Sequence, residues 1–143
     1  MPVRSAEAVW EGDLPSGKGV MRFGGGAFEG QYSFASRFEE GAGTNPEELI
    51  AAAHAGCFSM AFSNALAKAG HTPTRVETTA RVRFEKVGDG FSITKSELTT
   101  EAEVPGIDDA ELQKIGAEAK KGCPISRALN PSIEVTLDLK LVS

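Results

Sequence analysis

The sequence is poor in the residues from which covalent or metal-bound scaffolds are built. Its 143 residues include two cysteines, two histidines, one tryptophan and one tyrosine. Two cysteines are too few for a disulfide-stabilised fold in a chain of this length. Cys57 and Cys123 lie far apart and form no Cys-x-x-Cys motif, so a zinc site that adds His54 and His71 is only weakly indicated.

The chain also lacks a surplus of positive charge. It carries 15 lysines and arginines against 20 aspartates and glutamates, which gives a net charge of −5. Nucleic acids and anionic membranes are therefore poor partners. The first seven residues contain no apolar run typical of a signal peptide, so we expect a cytoplasmic protein. In that compartment a disulfide is more often catalytic than structural.

One long apolar segment, residues 44–70, dominates the sequence. Asn45 is a good helix N-cap, Pro46 suits the first helical position, and Glu48 completes a capping box. No charged residue occurs from 49 to 67. A helix that is apolar almost all round is expected to be buried centrally. Its glycine, histidine, serine and asparagine residues argue against a membrane span.

The rest of the chain predicts hairpins and two shorter helices. Strands are predicted at 4–12, 18–23, 31–38, 74–87, 91–104 and 133–141, and helices at 109–121 and 123–129. This order lacks β-α-β periodicity, so we predict an α+β fold with antiparallel sheets in a single domain, residues 1–143. One sheet and one amphipathic helix cannot cover the central helix on all sides. We therefore expect an obligate homodimer.

The two cysteines have different local settings. Cys57 lies in the middle of the predicted central helix, within a mostly apolar stripe that is typical of an unreactive buried cysteine. Cys123 lies at a predicted helix start with Pro124 at the first helical position, where free amides and the helix dipole stabilise a thiolate. Local sequence alone therefore favours Cys123 as the reactive thiol. A reactive Cys57 would need a cation from elsewhere in the chain.

Several short motifs are spread over nearly the whole chain. They are the segments 10–13, 17–19, 37–39, 43–60, 94–95, 104–107 and 122–126. Taken together, they resemble the OsmC/Ohr family of small peroxidases that act on organic hydroperoxides, and the amino-terminal Trp-Glu-Gly is closer to the osmotically inducible branch. The fold that this resemblance implies is an intertwined homodimer with antiparallel sheets around long central helices.

The resemblance also implies roles for four residues. Cys57 would be the peroxidatic thiol, Cys123 the resolving thiol, Arg37 the cation that stabilises the thiolate, and Glu47 the carboxylate that holds Arg37. The implied activity reduces organic hydroperoxides to alcohols, and hydrogen peroxide less efficiently, during oxidative or osmotic stress. No cofactor or metal is implied; electrons would come from an external dithiol, such as a lipoyl-bearing protein.

Helix geometry places a constraint on that site. Glu47 precedes Cys57 by ten residues, which is about 15 Å along a straight helix. If Arg37 and Glu47 act together on a thiol, we therefore expect it to be the partner subunit's Cys57.

Two other functions are compatible with the same residues. One is a cysteine hydrolase in which His54 serves Cys57 as a base, although no nucleophile-elbow glycine pattern surrounds the cysteine. The other is a binding protein without catalytic activity, whose apolar pocket and thiols sense stress. On local sequence alone, His54 is more typical of a hydrogen-bonded core histidine than of a general base.

Overall fold

Two units make up the computed structural model, which describes residues 2–142. The first ends at Leu49 and the second begins at Ile50. The long helix α2, Pro46–Lys68, begins in the first unit and continues in the second. The prediction of a single domain stays a prediction.

The first unit is a three-stranded antiparallel sheet followed by a short helix. The sheet has the order β1-β2-β3, and the strands and helix are β1 (Ala6–Glu11), β2 (Lys18–Phe23), β3 (Phe28–Tyr32) and α1 (Phe34–Phe38). The predicted strand at 31–38 is wrong beyond Tyr32. Ser33 accepts a hydrogen bond from the Ser36 N–H, and the Ser36 hydroxyl contacts the Ser33 backbone in return. This reciprocal capping starts a helix where alternation alone suggested a strand.

Helix α2 begins as its sequence predicts. The Asn45 side chain accepts a 2.8 Å hydrogen bond from the Glu48 N–H. Phe58, Phe62 and Leu66 are fully buried on one stripe, whereas Met60 is 76 % exposed. In a single chain the helix is therefore buried on one side and not all round. Among residues 2–142 it is the one helix long and apolar enough to span a membrane, but its buried stripe belongs to the core of the second unit.

The second unit packs helices against a mixed sheet of order β4-β5-β6. Its further elements are β4 (Arg75–Val87), β5 (Gly90–Glu103), α3 (Asp109–Gly122), α4 (Pro124–Leu129) and β6 (Glu134–Leu141). The antiparallel β4–β5 hairpin is confirmed. Strand β6 pairs with β5 in parallel, which the antiparallel prediction did not include. The two helices between these strands form a crossover that returns the chain in the same direction.

The core of the second unit explains why α3 lies close to the sheet. Leu112, Ile115 and Ala119 form the buried face of this amphipathic helix. Beside them, Gly116 leaves room for β6, because a Cβ there would lie 2.4 Å from Leu139 Cδ2. Together with the buried stripe of α2, these residues hold the α3–α4 junction in place. The predicted α+β class is confirmed.

Candidate active site

Two free thiols from distant parts of the sequence meet in the second unit. The Sγ atoms of Cys57, in the middle of α2, and Cys123, between α3 and α4, are 3.2 Å apart. Cys123 is fixed by its backbone, whose N–H donates to the Ala119 carbonyl at 2.8 Å as α3 ends. Pro124 then begins α4, as predicted. Only a small movement of either sulfur is needed to form a disulfide.

The two sulfurs differ in access and in acidity. Cys57 is partly exposed, whereas Cys123 is fully buried. Burial raises the pKa of the Cys57 thiol, and a hydrogen bond from the Ile125 N–H offsets this only in part. Burial acts in the same direction on Cys123, but hydrogen bonds from the Ser126 N–H, Cys57, the Ser126 hydroxyl and the Ile125 N–H outweigh it. They lower the pKa of Cys123 below its usual value.

His54 lies one turn before Cys57 on α2 and is fully buried. Its Nδ1 is 2.7 Å from the Ser96 hydroxyl on β5, and its Nε2 is 2.7 Å from the Ser126 hydroxyl on α4. Burial lowers the pKa of His54, so the imidazole is neutral near pH 7. The interpretation of His54 as a hydrogen-bonded core histidine is confirmed.

Arg37 and Glu47 form a two-point ion pair within the first unit. Arg37 Nε donates to Glu47 Oε1 at 3.1 Å, and an Nη atom donates to Oε2 at 3.0 Å. The Glu47 side chain is 9 % exposed and the Arg37 side chain 34 %. Arg37 also lies 5.5 Å from the ring centre of Phe38. Glu47 therefore does hold Arg37, and the fork geometry fixes the direction of the guanidinium.

Metal chemistry has no candidate centre in the part of the chain that the structure describes. No group of three or more histidine, cysteine, aspartate or glutamate residues between positions 2 and 142 is arranged to hold an ion. Of the two histidines considered for zinc, His54 binds two hydroxyls and His71 lies 3.3 Å from Glu111. A cavity of about 420 Å³ lies in the first unit, and no cysteine lines it.

The fold and the site define an α+β protein with a dithiol whose two members differ in exposure. The chain is 50 % identical to the peroxiredoxin OsmC of Escherichia coli K12, over 98 % of this chain and 97 % of that one. It is 38 % identical to an organic hydroperoxide resistance protein of Xanthomonas axonopodis pv. citri, over 69 % and 68 %. The crystal structure of the resistance protein OhrB of Bacillus subtilis superposes with a TM-score of 0.76 at 25 % identity, covering 95 % and 98 %.

A family model for OsmC-like proteins matches residues 39–138. The chain therefore belongs to the OsmC-like protein family, and the resemblance seen in its motifs is confirmed. The implied α+β fold is confirmed with it, whereas the intertwined homodimer stays a prediction.

Sequence reasoning named both members of the thiol pair and both members of the ion pair. It missed Ser96 and Ser126, whose hydroxyls form hydrogen bonds with His54. The one available signal was the position of Ser126 three residues after Cys123, where its N–H and hydroxyl both face the helix start. Nothing in the sequence around Ser96 distinguishes it from other serines in strands.

Proposed function

We propose that this chain is a two-cysteine thiol peroxidase that reduces organic hydroperoxides to alcohols. Membership of the family, together with relatives named as a peroxiredoxin and as organic hydroperoxide resistance proteins, supports a hydroperoxide peroxidase. The observation that carries the cysteine mechanism is the contact at 3.2 Å between a partly exposed and a fully buried thiol. A substrate can contact the sulfur of the partly exposed Cys57, whereas the buried sulfur of Cys123 can react only with Cys57 beside it.

The first step belongs to Cys57. Its thiolate attacks one oxygen of the O–O bond, which breaks; the other oxygen leaves with the alkyl group and takes up a proton to give the alcohol. The sulfur is oxidised to sulfenic acid. Access supports this assignment although Cys123 has the lower pKa, because Cys123 is fully buried and a bulky hydroperoxide needs an exposed sulfur.

The second step joins the two cysteines. Cys123 sulfur attacks the Cys57 sulfenic acid, the S–S bond forms, and the hydroxyl leaves as water after taking up one proton. An external dithiol then reduces the disulfide by exchange and is itself oxidised to a disulfide. We propose a lipoyl-bearing protein as this reductant and the cytoplasm as the location, with no bound cofactor.

The thiolate of Cys57 needs a positive charge, because burial raises its pKa. We assign this role to Arg37, whose guanidinium is aimed by Glu47. Since ten residues of helix put Glu47 about 15 Å from the cysteine of its own chain, the pair would serve the partner subunit's Cys57. The exposed side of α2, with Met60 76 % exposed beside small residues, supports a homodimer in which this side is covered.

Hydroperoxide consumption by the purified protein tests the proposal. With cumene hydroperoxide and a dithiol reductant, we expect many turnovers per chain and one disulfide in the oxidised protein. A hydrolase would release product from ester substrates and leave the hydroperoxide intact. A sensor without catalytic activity would oxidise once and stop despite the reductant. Either result would contradict the proposal.

A further inference from the structure

A line of buried hydrogen bonds connects His54 to the dithiol. His54 bridges the hydroxyls of Ser96 and Ser126, each 2.7 Å from a ring nitrogen, and all three residues are 3 % exposed or less. The Ser126 hydroxyl is hydrogen-bonded in turn to Cys123, whose sulfur lies 3.2 Å from that of Cys57. The proposed peroxidase cycle uses the two sulfurs and leaves the histidine and the two serines without a role.

We propose that His54 is a positioning residue for the second step, holding the Ser126 hydroxyl so that it donates to the Cys123 sulfur. The inference rests on the proposed peroxidase function. In this proposal the buried histidine neither binds the substrate nor removes a proton from it. Its effect reaches the reacting sulfur through one intervening hydroxyl.

The number of available protons links the tautomer of His54 to the state of Cys123. A neutral imidazole has one N–H, and each serine has one O–H. If Nε2 carries the proton, it donates to Ser126 Oγ, and the Ser126 O–H is free to donate to the sulfur. The Ser96 O–H then donates to Nδ1. If Nδ1 carries the proton instead, Nε2 accepts the Ser126 O–H and the sulfur loses this donor.

The first arrangement favours disulfide formation. Cys123 attacks as a thiolate, and a hydroxyl donor stabilises the negative charge on sulfur before the S–S bond forms. The Cys123 proton goes to solvent, and the hydroxide that leaves the Cys57 sulfenic acid takes one up to become water, so the step balances. In this arrangement the Ser96 O–H donates to Nδ1, which stabilises the productive tautomer.

The titratable groups beside this line of hydrogen bonds can be named for each element that it joins. They are Cys57 on α2 and Cys123 immediately before α4. On β5 the neighbours of Ser96 are Lys95 and Glu97, which alternate to the opposite face and pair with each other at 3.8 Å. On α4 the arginine next to Ser126 is exposed. The pH dependence of disulfide formation is therefore expected to follow Cys123.

Rapid-quench kinetics on the whole protein can separate the two steps. One equivalent of cumene hydroperoxide is added, the reaction is stopped with a thiol-blocking reagent, and intact mass distinguishes the dithiol, the sulfenic acid and the disulfide. For Ser126→Ala we expect sulfenic acid formation within about twofold of the wild type. Disulfide formation should slow by about tenfold, the order expected for one hydrogen bond to a charged group. The deficit should be larger near pH 6 than near pH 9, because loss of the donor raises the pKa of Cys123.

Variants of His54 test the positioning role itself. His54→Leu should slow disulfide formation as Ser126→Ala does, and His54→Gln, which keeps an N–H donor, should recover part of the rate. Ser59→Ala is the matched control: it removes a hydrogen bond of 2.8 Å from α2 to Thr78 on β4 that does not lead to the cysteines. It should change neither step. An equal slowing of both steps by Ser126→Ala would overturn the proposal. An unchanged rate of disulfide formation in Ser126→Ala or in His54→Leu would overturn it as well.

A second measurement does not depend on peroxidase activity. In a Cys57→Ser background, Cys123 is the one thiol left in the chain, and its thiolate absorbance can be titrated directly. Adding Ser126→Ala or His54→Leu should move the titration to higher pH, whereas Ser59→Ala should not. An unchanged titration would contradict the inference even if the peroxidase function holds. A shifted titration in a protein that consumes no hydroperoxide would contradict only the peroxidase function.

Discussion

The sulfur atoms of the two cysteines lie 3.2 Å apart. Their side chains are identical, yet their surroundings make them chemically different. Cys57 lies in the middle of a long helix, is partly exposed, and has its pKa raised by burial. Cys123 lies at a junction of two helices and is fully buried, with several donors that lower its pKa. Access and acidity are thus divided between the two thiols within a single chain.

The proposed mechanism gives the two thiols different requirements. A thiol that burial keeps protonated requires a positive charge, and we propose that Arg37, paired with Glu47, supplies it. A thiol that is already acidic but inaccessible needs only a neighbouring sulfur as its electrophile. The comparison predicts that changes at the two sites should affect different steps.

The largest effect should come from removing either sulfur. Cys57→Ser should abolish peroxide turnover, whereas Cys123→Ser should allow one burst of oxidation and then stall as sulfenic or higher acids. Intact mass of the wild type after one equivalent of hydroperoxide should fall by about 2 Da as the disulfide closes. Sustained turnover by Cys57→Ser would reverse the assignment of the two thiols.

Removing the positive charge should affect only the first step. Arg37→Ala should raise the pKa of Cys57, because burial would then act without the cation that lowers this pKa in the proposed dimer. A thiol with a lowered pKa is mostly thiolate at about pH 9 but not at about pH 6, so oxidation should slow more at about pH 6. Stopped-flow oxidation across this pH range measures it. Arg22→Ala, which breaks exposed ion pairs with Glu7 and Glu29, is the control and should leave the profile unchanged.

Substrate preference should show whether the apolar surface near Cys57 is a substrate wall. Burial of three or four CH₂ groups at about 0.8 kcal/mol each gives about 2–3 kcal/mol. Cumene hydroperoxide should therefore exceed hydrogen peroxide in kcat/KM by at least about tenfold. Met60→Gln should reduce this ratio by slowing the bulky substrate. Equal kcat/KM for both peroxides would mean that the apolar residues around Cys57 serve packing alone.

The smallest signal is expected from mixed dimers. Cys57→Ser subunits and Arg37→Ala/Glu47→Ala subunits should each be inactive, because each lacks one half of the proposed site. Unfolding and refolding them together should restore part of the activity if the two halves come from different subunits. Mixing either variant with itself is the control. If sizing shows that mixed dimers form but no activity returns, the pair serves its own chain.

Local sequence determined most of the elements because their signals are short-range. The Asn45 cap, the apolar run of α2, the 74–87 and 91–104 hairpin and the amphipathic α3 all follow from neighbouring residues. The failure at 31–38 has a local cause as well: the Ser33–Ser36 capping pair outweighed a weak alternation. The parallel pairing of β6 with β5 could not be predicted from local sequence, since it depends on how the two intervening helices cross the sheet.

The sequence by itself determined the kinds of chemistry available: two thiols, one carboxylate-held arginine, and family motifs that named them. It could not decide how the thiols differ, because local position favoured the acidic Cys123 and gave no measure of access. Tertiary structure alone decided that Cys123 is enclosed, that Cys57 is reachable, and that Ser96 and Ser126 meet on His54. Burial and hydrogen bonding between distant segments set pKa and access, and these arise only when the chain is folded.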